Sequence, residues 1–195
     1  FYDILKMPVS IRNRVALNAD ANPFQEYLMG VRYIQTNTGK IPTGYRILAE
    51  KNEQILAEND QVLPLAYGST ALISEESFDQ LSYPENLDTI VSRTIVSNPK
   101  KETSYTSQMK SCTLPSDLFR QNAPSTEKTD KKKLPFTVKD QVLLLFFHVE
   151  HQGAQDVSIT INGIRNCLSG ADAPYPNGNT EFTYLLSSPE AFDTL

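Results

Sequence analysis

Four short apolar segments follow one another between residues 31 and 69, with only a few turn-forming residues between them. They read VRYIQT, GYRILAE, QILAEN and LPLAYGS, and glycine, proline and asparagine separate them. Parallel strands need a crossover of about a dozen or more residues, and the later connections are shorter than that. The spacing therefore predicts four strands of a small antiparallel sheet and argues against a doubly wound nucleotide-binding fold.

Helical signals flank this sheet on both sides. Apolar side chains recur at helical spacing in NPFQEYLMGV and predict a short helix over 23–29. Ser74 precedes two glutamates, which is typical of a residue that caps the start of a helix. The apolar positions of PENLDTIVSRTIVS lie on one helical face and predict a further helix over 84–96. The first unit is expected to span residues 1–98 as a small α+β domain.

The remainder, residues 99–195, is expected to be a β-sandwich-like domain. Its first part is rich in serine, threonine, lysine and proline, which indicates exposed strands and a long solvated loop. VLLLFFHVEH is apolar on both faces, as in a strand that lies between two layers. Residues 136–195 supply about four strands, fewer than a sandwich needs. Either strands around 103–119 complete it, or the chain stops short of the natural C-terminus.

The clearest local signal is a hairpin in DVSITINGIRNCLS. A two-residue type I′ turn requires positive φ at both positions, and Asn162-Gly163 adopts such angles at least cost. The register then places Ile161 on one face with Ile164, and Cys167 on the opposite, more polar face. The overall fold class is therefore α+β and mainly β, with a small antiparallel sheet and a few helices followed by a jelly-roll-like β-sandwich portion.

Charge and hydropathy narrow the classes of partner. The chain has 18 basic and 23 acidic residues and a net charge of −5, so nucleic acid is not an expected partner. The longest apolar run is Val142–Phe147, whereas a membrane helix needs about 20 residues. The first residues lack the pattern of a signal peptide, so export would depend on an upstream segment.

Sites for metals, cofactors and catalysis have little support in the sequence. His148 and His151 would point to opposite faces of a strand and could not bind one ion. Three S-x-x-K tetrads, beginning at Ser97, Ser107 and Ser125, lack the other elements of penicillin-binding enzymes. Cys112 and Cys167 could form one disulfide or be two unrelated thiols. We therefore expect no metal, no cofactor and no catalytic residue.

The loop over 169–182 is the candidate binding surface. It combines an aromatic ring with carboxylate and amide groups that can bind sugar hydroxyls, at Asp172, Tyr175, Asn177 and Asn179. The alternative is a plain connecting loop.

The order of several segments resembles the extracytoplasmic C-terminal region of the bacterial YfhO family of multi-pass membrane proteins. The strings are MGVRYIQ, GYRIL, ILAEND and LPLAYGS, followed by FHVEH, ITINGIRN and APYPNGNTEFTYLL. In that family a leucine-glycine-valine-lysine-tyrosine strand precedes a tyrosine-glutamate-asparagine segment and then leucine-proline. The resemblance covers roughly residues 20–195, and none of its motifs is catalytic.

This resemblance implies a parent protein with a glycosyltransferase-like membrane core that adds sugars to cell-envelope polymers such as lipoteichoic acid. Catalysis is expected on loops of the membrane part, so no residue here receives a catalytic role. The implied location is the extracytoplasmic side of the cell membrane, and the implied partners are the protein's own transmembrane region and a cell-envelope glycan or teichoic acid.

Two functions from different classes remain open at this point. The first is a non-catalytic extracytoplasmic domain that helps to position a glycan or polymer acceptor. The alternative is a free-standing carbohydrate-binding or adhesion module, whose binding surface would be the β-rich tail and the loop over 169–182.

Overall fold

The computed structural model describes residues 9–10, 15–16, 22–37, 41–115, 131–150, 153, 156–174 and 176–195. The described residues form three helices: α1 (Pro23–Leu28), α2 (Glu75–Asp79) and α3 (Glu85–Ser92). The strands of the first half are β1 (Val9–Ser10), β2 (Val15–Ala16), β3 (Tyr33–Asn37), β4 (Arg46–Lys51), β5 (Gln54–Glu58), β6 (Leu72–Ser74) and β7 (Thr94–Val96). Those of the second half are β8 (Lys133–Val138), β9 (Leu143–His148), β10 (Val157–Ile161), β11 (Ile164–Leu168), β12 (Glu181–Leu186) and β13 (Phe192–Thr194). The predicted class, α+β and mainly β, is confirmed.

The first half contains an antiparallel three-stranded sheet in the order β3-β5-β4. Its inner face packs a small core of four buried residues, Ile41, Tyr45, Ile55 and Ala57. The predicted fourth strand, LPLAYGS, is wrong, because residues 63–69 form neither helix nor strand. Pro64 has no amide to donate to a neighbouring strand, and residues 64–70 lie exposed along the surface.

Two of the three described helices begin at a residue whose side chain caps the first turn, and one of these caps, Ser74, was predicted. Asn22 Oδ1 accepts hydrogen bonds from the amides of Phe24 and Gln25, both at 3.1 Å, at the start of α1. Ser74 Oγ accepts one from the amide of Ser77 at 3.1 Å in α2. The predicted helix over 84–96 is too long, since α3 ends at Ser92 and Thr94–Val96 form β7. Those three residues are all β-branched and pair in parallel with β6.

The second half is built from three antiparallel strand pairs: β8 with β13, β9 with β12, and β10 with β11. They surround one core of nine buried residues, namely Leu134, Val138, Leu143, Leu145, Ile161, Leu168, Phe182, Tyr184 and Leu186. Residues 133–195 thus contribute six strands rather than the four predicted. Residues 103–115 form no strand, and 116–119 lie outside the described residues. The sandwich architecture remains a prediction.

The hairpin prediction is confirmed in its turn and in its register. Asn162 and Gly163 have φ angles of 46° and 83°, as a type I′ turn requires. Ile161 lies opposite Ile164, and Ser158 lies opposite Cys167 on the more polar face. Both cysteines, Cys112 and Cys167, are free thiols.

The paired strands β9 and β12 are covered on both faces. Phe182, Tyr184 and Leu186 point into the core just described, while Leu185 of β12 packs with Leu87 of α3 in a second core. The second core is completed by partly buried residues of both halves of the chain, namely Phe24, Leu28, Tyr83, Ile90, Val142 and Leu144. Residues from both sides of position 98 therefore share this core, and the division into two domains remains a prediction.

In the described part of the chain, none of the helices has the length and apolar character needed to cross a bilayer.

Burial on both faces of β12 predicts that two adjacent leucines are equally sensitive to truncation. Leu185→Ala and Leu186→Ala should each lower the free energy of unfolding by about 2–5 kcal/mol, because each leaves a cavity in a different core. Leu65→Ala is the control, since Leu65 is fully exposed and its truncation should change stability by less than about 0.5 kcal/mol. Urea denaturation measures all three, and a small effect at Leu185 would contradict the two-sided burial.

Candidate functional site

Three segments that are distant in sequence meet beside the three-stranded sheet. The turn after α1 is hydrogen-bonded to the residue that leads into β4, because Tyr45 Oη donates to the carbonyl oxygen of Val31. It is also bonded to the end of β5, where the amide of Asn59 donates to the carbonyl oxygen of Arg32 at 2.8 Å. We call residues 29–33, 44–46 and 58–63 the motif cluster.

Glu58 is the electrostatic centre of the motif cluster. Its side chain is 7% exposed, whereas the side chains of Arg32 and Arg46 are 57% and 67% exposed. Glu58 Oε1 accepts hydrogen bonds from Arg32 Nε and Nη2, at 3.1 and 3.0 Å, and from Tyr33 Oη at 2.8 Å. Glu58 Oε2 pairs with Arg46 Nη2. One carboxylate therefore joins residues of, or adjacent to, all three strands.

The protonation state of Glu58 follows from these contacts. The Tyr33 hydroxyl and the Arg32 guanidinium hold the pKa of the Glu58 carboxyl below its usual range, against the opposing effect of burial. A carboxylate that is ionised and engaged by three donors is a poor proton acceptor. The arrangement is suited to holding strands together rather than to general base catalysis.

Two glycines of the motif cluster have positive φ and close neighbours, so an added side chain would be strained at either position. Gly30 has a φ of +66°, and a β-carbon there would lie 2.6 Å from the carbonyl oxygen of Leu63. Gly44 has a φ of +88°, and its β-carbon would lie 2.9 Å from Asn59 Nδ2. At both positions glycine allows a left-handed backbone conformation and also leaves room for a neighbouring segment to approach closely.

Of the four predicted binding residues of the loop over 169–182, two come together in the structure. Asn177 and Asn179 come together, because the Nδ2 atoms of both donate to the carbonyl oxygen of Cys167, at 2.7 and 3.2 Å. Asn177 Oδ1 also accepts from the amides of Ser169 and Asn179. Asp172 is exposed, and Tyr175 lies outside the described residues. The two asparagines hold the loop onto β11, and their role in binding remains a prediction.

The other sequence candidates are placed as follows. His148 Nδ1 lies 2.5 Å from Glu181 Oε1 across the β9–β12 pair, and His151 is outside the described residues. The tetrads that begin at Ser97 and Ser107 lie outside helices, and the one at Ser125 lies in the undescribed range 116–130. Within the described ranges, no group of three or more metal-ligating side chains could hold an ion.

Sequence reasoning missed Glu58 and also Glu26, a carboxyl that is buried in α1. The pairing of Glu58 could have been predicted from the sequence. Glu58 ends a strand in the Glu-Asn motif, and Arg32 and Arg46 lie at or directly before the starts of the two neighbouring strands, which an antiparallel sheet places beside that end. The burial of Glu26 could not have been predicted, since this residue falls between the apolar positions of its helix and would be expected to face water. All six residues of α1 are buried or partly buried, so this helix buries more than its apolar stripe.

Comparison of the chain with protein-family models, curated proteins and solved structures found no match.

Substitution of Gly30 should test the close approach in the motif cluster. Gly30→Ala should lower the free energy of unfolding by at least about 2 kcal/mol, because it adds a clash with the backbone of Leu63 to the cost of a left-handed residue. Gly178→Ala is a matched control, with a φ of +61° and no described atom within 4 Å of the added carbon. It should cost only about 1–2 kcal/mol. Equal losses in thermal or urea unfolding would contradict the proposed clash.

Neutralising Glu58 should weaken the fold in a pH-dependent way. A depressed pKa in the folded state contributes stability above the unfolded value of about 4.3, and this contribution disappears as pH falls through the folded value. Glu58→Gln should therefore destabilise the chain more at pH 7 than at pH 3 in urea titrations. Glu50→Gln, on the exposed strand β4, is the control and should show little difference at either pH. A loss for Glu58→Gln that is the same at both pH values would argue against an ionic role.

Proposed function

We propose that this chain is a non-catalytic extracytoplasmic domain of a YfhO-type multi-pass membrane protein that glycosylates cell-envelope polymers such as lipoteichoic acid. In this proposal the domain lies on the outer side of the cell membrane, next to the transmembrane region of its own protein. It helps to position the polymer that accepts the sugar. Chemistry belongs to the membrane part, and this chain contributes binding and orientation.

One observation supports the proposal most directly. The four strings that carry the first part of the resemblance, MGVRYIQ, GYRIL, ILAEND and LPLAYGS, span residues 29–69 and come from separate segments. Their characteristic residues contact one another: Gly30 approaches Leu63, Gly44 approaches Asn59, and Tyr33 bonds to Glu58. Strings that form one structural unit are expected to meet in this way.

The outer face of the three-stranded sheet is a suitable surface for a polyhydroxylated polymer. Strand register places Tyr33 and Gln35 of β3 and Gln54 of β5 on this face, and all three are exposed. Aromatic rings and amide groups are the side chains that contact sugar rings and hydroxyls. The polar contacts of Glu58 lie at one end of the same face, so the motif cluster stabilises the surface that we assign to the polymer.

Fractionation of source cells tests this proposal. An antibody raised against the chain should detect a band far above 21.9 kDa that leaves the membrane fraction only with detergent, when proteolysis is blocked. An integral membrane protein and a wall-released protein serve as fractionation controls.

A soluble or wall-released band near 21.9 kDa would overturn the proposal. The alternative, a free-standing carbohydrate-binding or adhesion module, would then become the leading function. Glycan binding by the isolated chain, with Tyr175→Ala as the variant, would be the next measurement, because the predicted loop over 169–182 is the binding surface in that alternative.

A further inference from the structure

A second carboxyl near the motif cluster is buried without a partner. Glu26, in the middle of α1, is 4% exposed, and its Oε2 atom has no hydrogen-bond partner among the described residues. A buried polar atom without a partner is rare in folded proteins, because the lost hydration is not replaced. Such a group calls for an explanation in terms of charge state or function.

The surroundings of Glu26 connect it to the motif cluster. The backbone carbonyl of Glu26 accepts a hydrogen bond from the amide of Val31 at 2.8 Å, and the carbonyl of Val31 accepts one from Tyr45 Oη. Tyr45, in the segment that leads into β4, is also 4% exposed and lies close enough to Glu26 for their charges to interact. A change in the position of Glu26 is therefore transmitted to residues 29–33.

The charged groups near Glu26 do not favour its ionised form. Burial raises the pKa of Glu26 to about 7, and burial, followed by the negative charge of Glu26, raises the pKa of Tyr45. The nearest cation along the chain is Arg32, and its guanidinium is bound to Glu58. The structure described here, which we call the closed state, therefore accommodates the protonated form of the Glu26 carboxyl.

We propose that Glu26 is a pH-sensitive latch, whose protonated carboxyl keeps α1 and residues 29–33 in the position where Val31 accepts the Tyr45 hydrogen bond, and whose ionisation loosens that arrangement. This inference goes beyond the proposed function and does not depend on it. Above neutral pH the charged carboxylate gains free energy by reaching water, and in this proposal α1 moves to expose it. Such a movement also shifts Arg32, one of the donors to Glu58.

The direction of the pH dependence follows from linkage. A carboxyl whose pKa is higher in the closed state than in the open state, where it is about 4.3, stabilises the closed state fully below pH 4. That contribution is lost as pH rises to about 7, and it stays constant above that. The population of the open form should rise about tenfold per pH unit in this window, which is about 500-fold in total and on the order of 10²-fold above pH 5.

Hydrogen exchange of the full chain measures this opening at single amides. The protection factors of the Val31 and Asn59 amides, which close the motif cluster, should fall on the order of 10²-fold between pH 5 and pH 8, after correction for intrinsic exchange. The amides of the β10–β11 hairpin should keep theirs, because Ile161 and Leu168 lie in the core of the second half, which contains no residue of α1. Glu26→Gln should remove the fall, and Glu76→Gln, on an exposed position of α2, should leave it as in the unmodified chain.

A direct titration keeps the test valid if Glu26→Gln does not fold. The carboxyl carbon of Glu26, followed by NMR in the unmodified chain, should titrate with a midpoint near pH 7, and the amide of Val31 should shift with the same midpoint. A midpoint near 4.3, protection factors that do not change with pH, or a fall that persists in Glu26→Gln would each overturn the proposal.

Discussion

The pair of strands β9 and β12 is apolar on both faces, and each face needs a cover. One face of β12 carries Phe182, Tyr184 and Leu186, which are at most 2% exposed and meet the other strands of the second half. On the opposite face Leu185 packs with Leu87, and the helices α1 and α3 cover it. A strand that is buried on two sides loses apolar burial wherever either cover is removed. The core of the second half and the helices α1 and α3 therefore both pack against this one pair.

In and beside the motif cluster, two carboxyl groups have pKa values shifted in opposite directions. Glu58 is engaged by Arg32, Arg46 and a tyrosine hydroxyl, so its charge is retained and used to join strands. Glu26 is buried with an unpartnered oxygen, so its neutral form is favoured. Both residues are almost fully excluded from water, so low solvent exposure alone does not set the difference. The difference comes from the donors within reach, because a buried charge is tolerated only where partners replace water.

The sequence predicted the fold class, two helix starts and the hairpin, but only part of the candidate site. Asn177 and Asn179 were chosen for amide groups that could bind sugars, and in the structure these amides bind the backbone of Cys167. Glu58 belongs to the string ILAEND, but the sequence pattern predicted no role for it. Its role depends on the register of β3 and β4 against β5, which brings Tyr33 and Arg46 opposite it from strands on either side. Long-range register of this kind cannot be read from local spacing.

By itself, the sequence determined the features that depend on a few neighbouring residues. Asn162-Gly163 adopts positive φ at both positions of its turn, and Ser74 caps the helix that follows it, because turns and caps are satisfied within three or four residues. Only the tertiary structure decided where α3 ends, which side chains cover β12, and that Glu26 is buried while Glu58 is paired. These outcomes depend on contacts between segments that are far apart in the chain. Such contacts contribute to stability only once the chain has folded and brought those segments together.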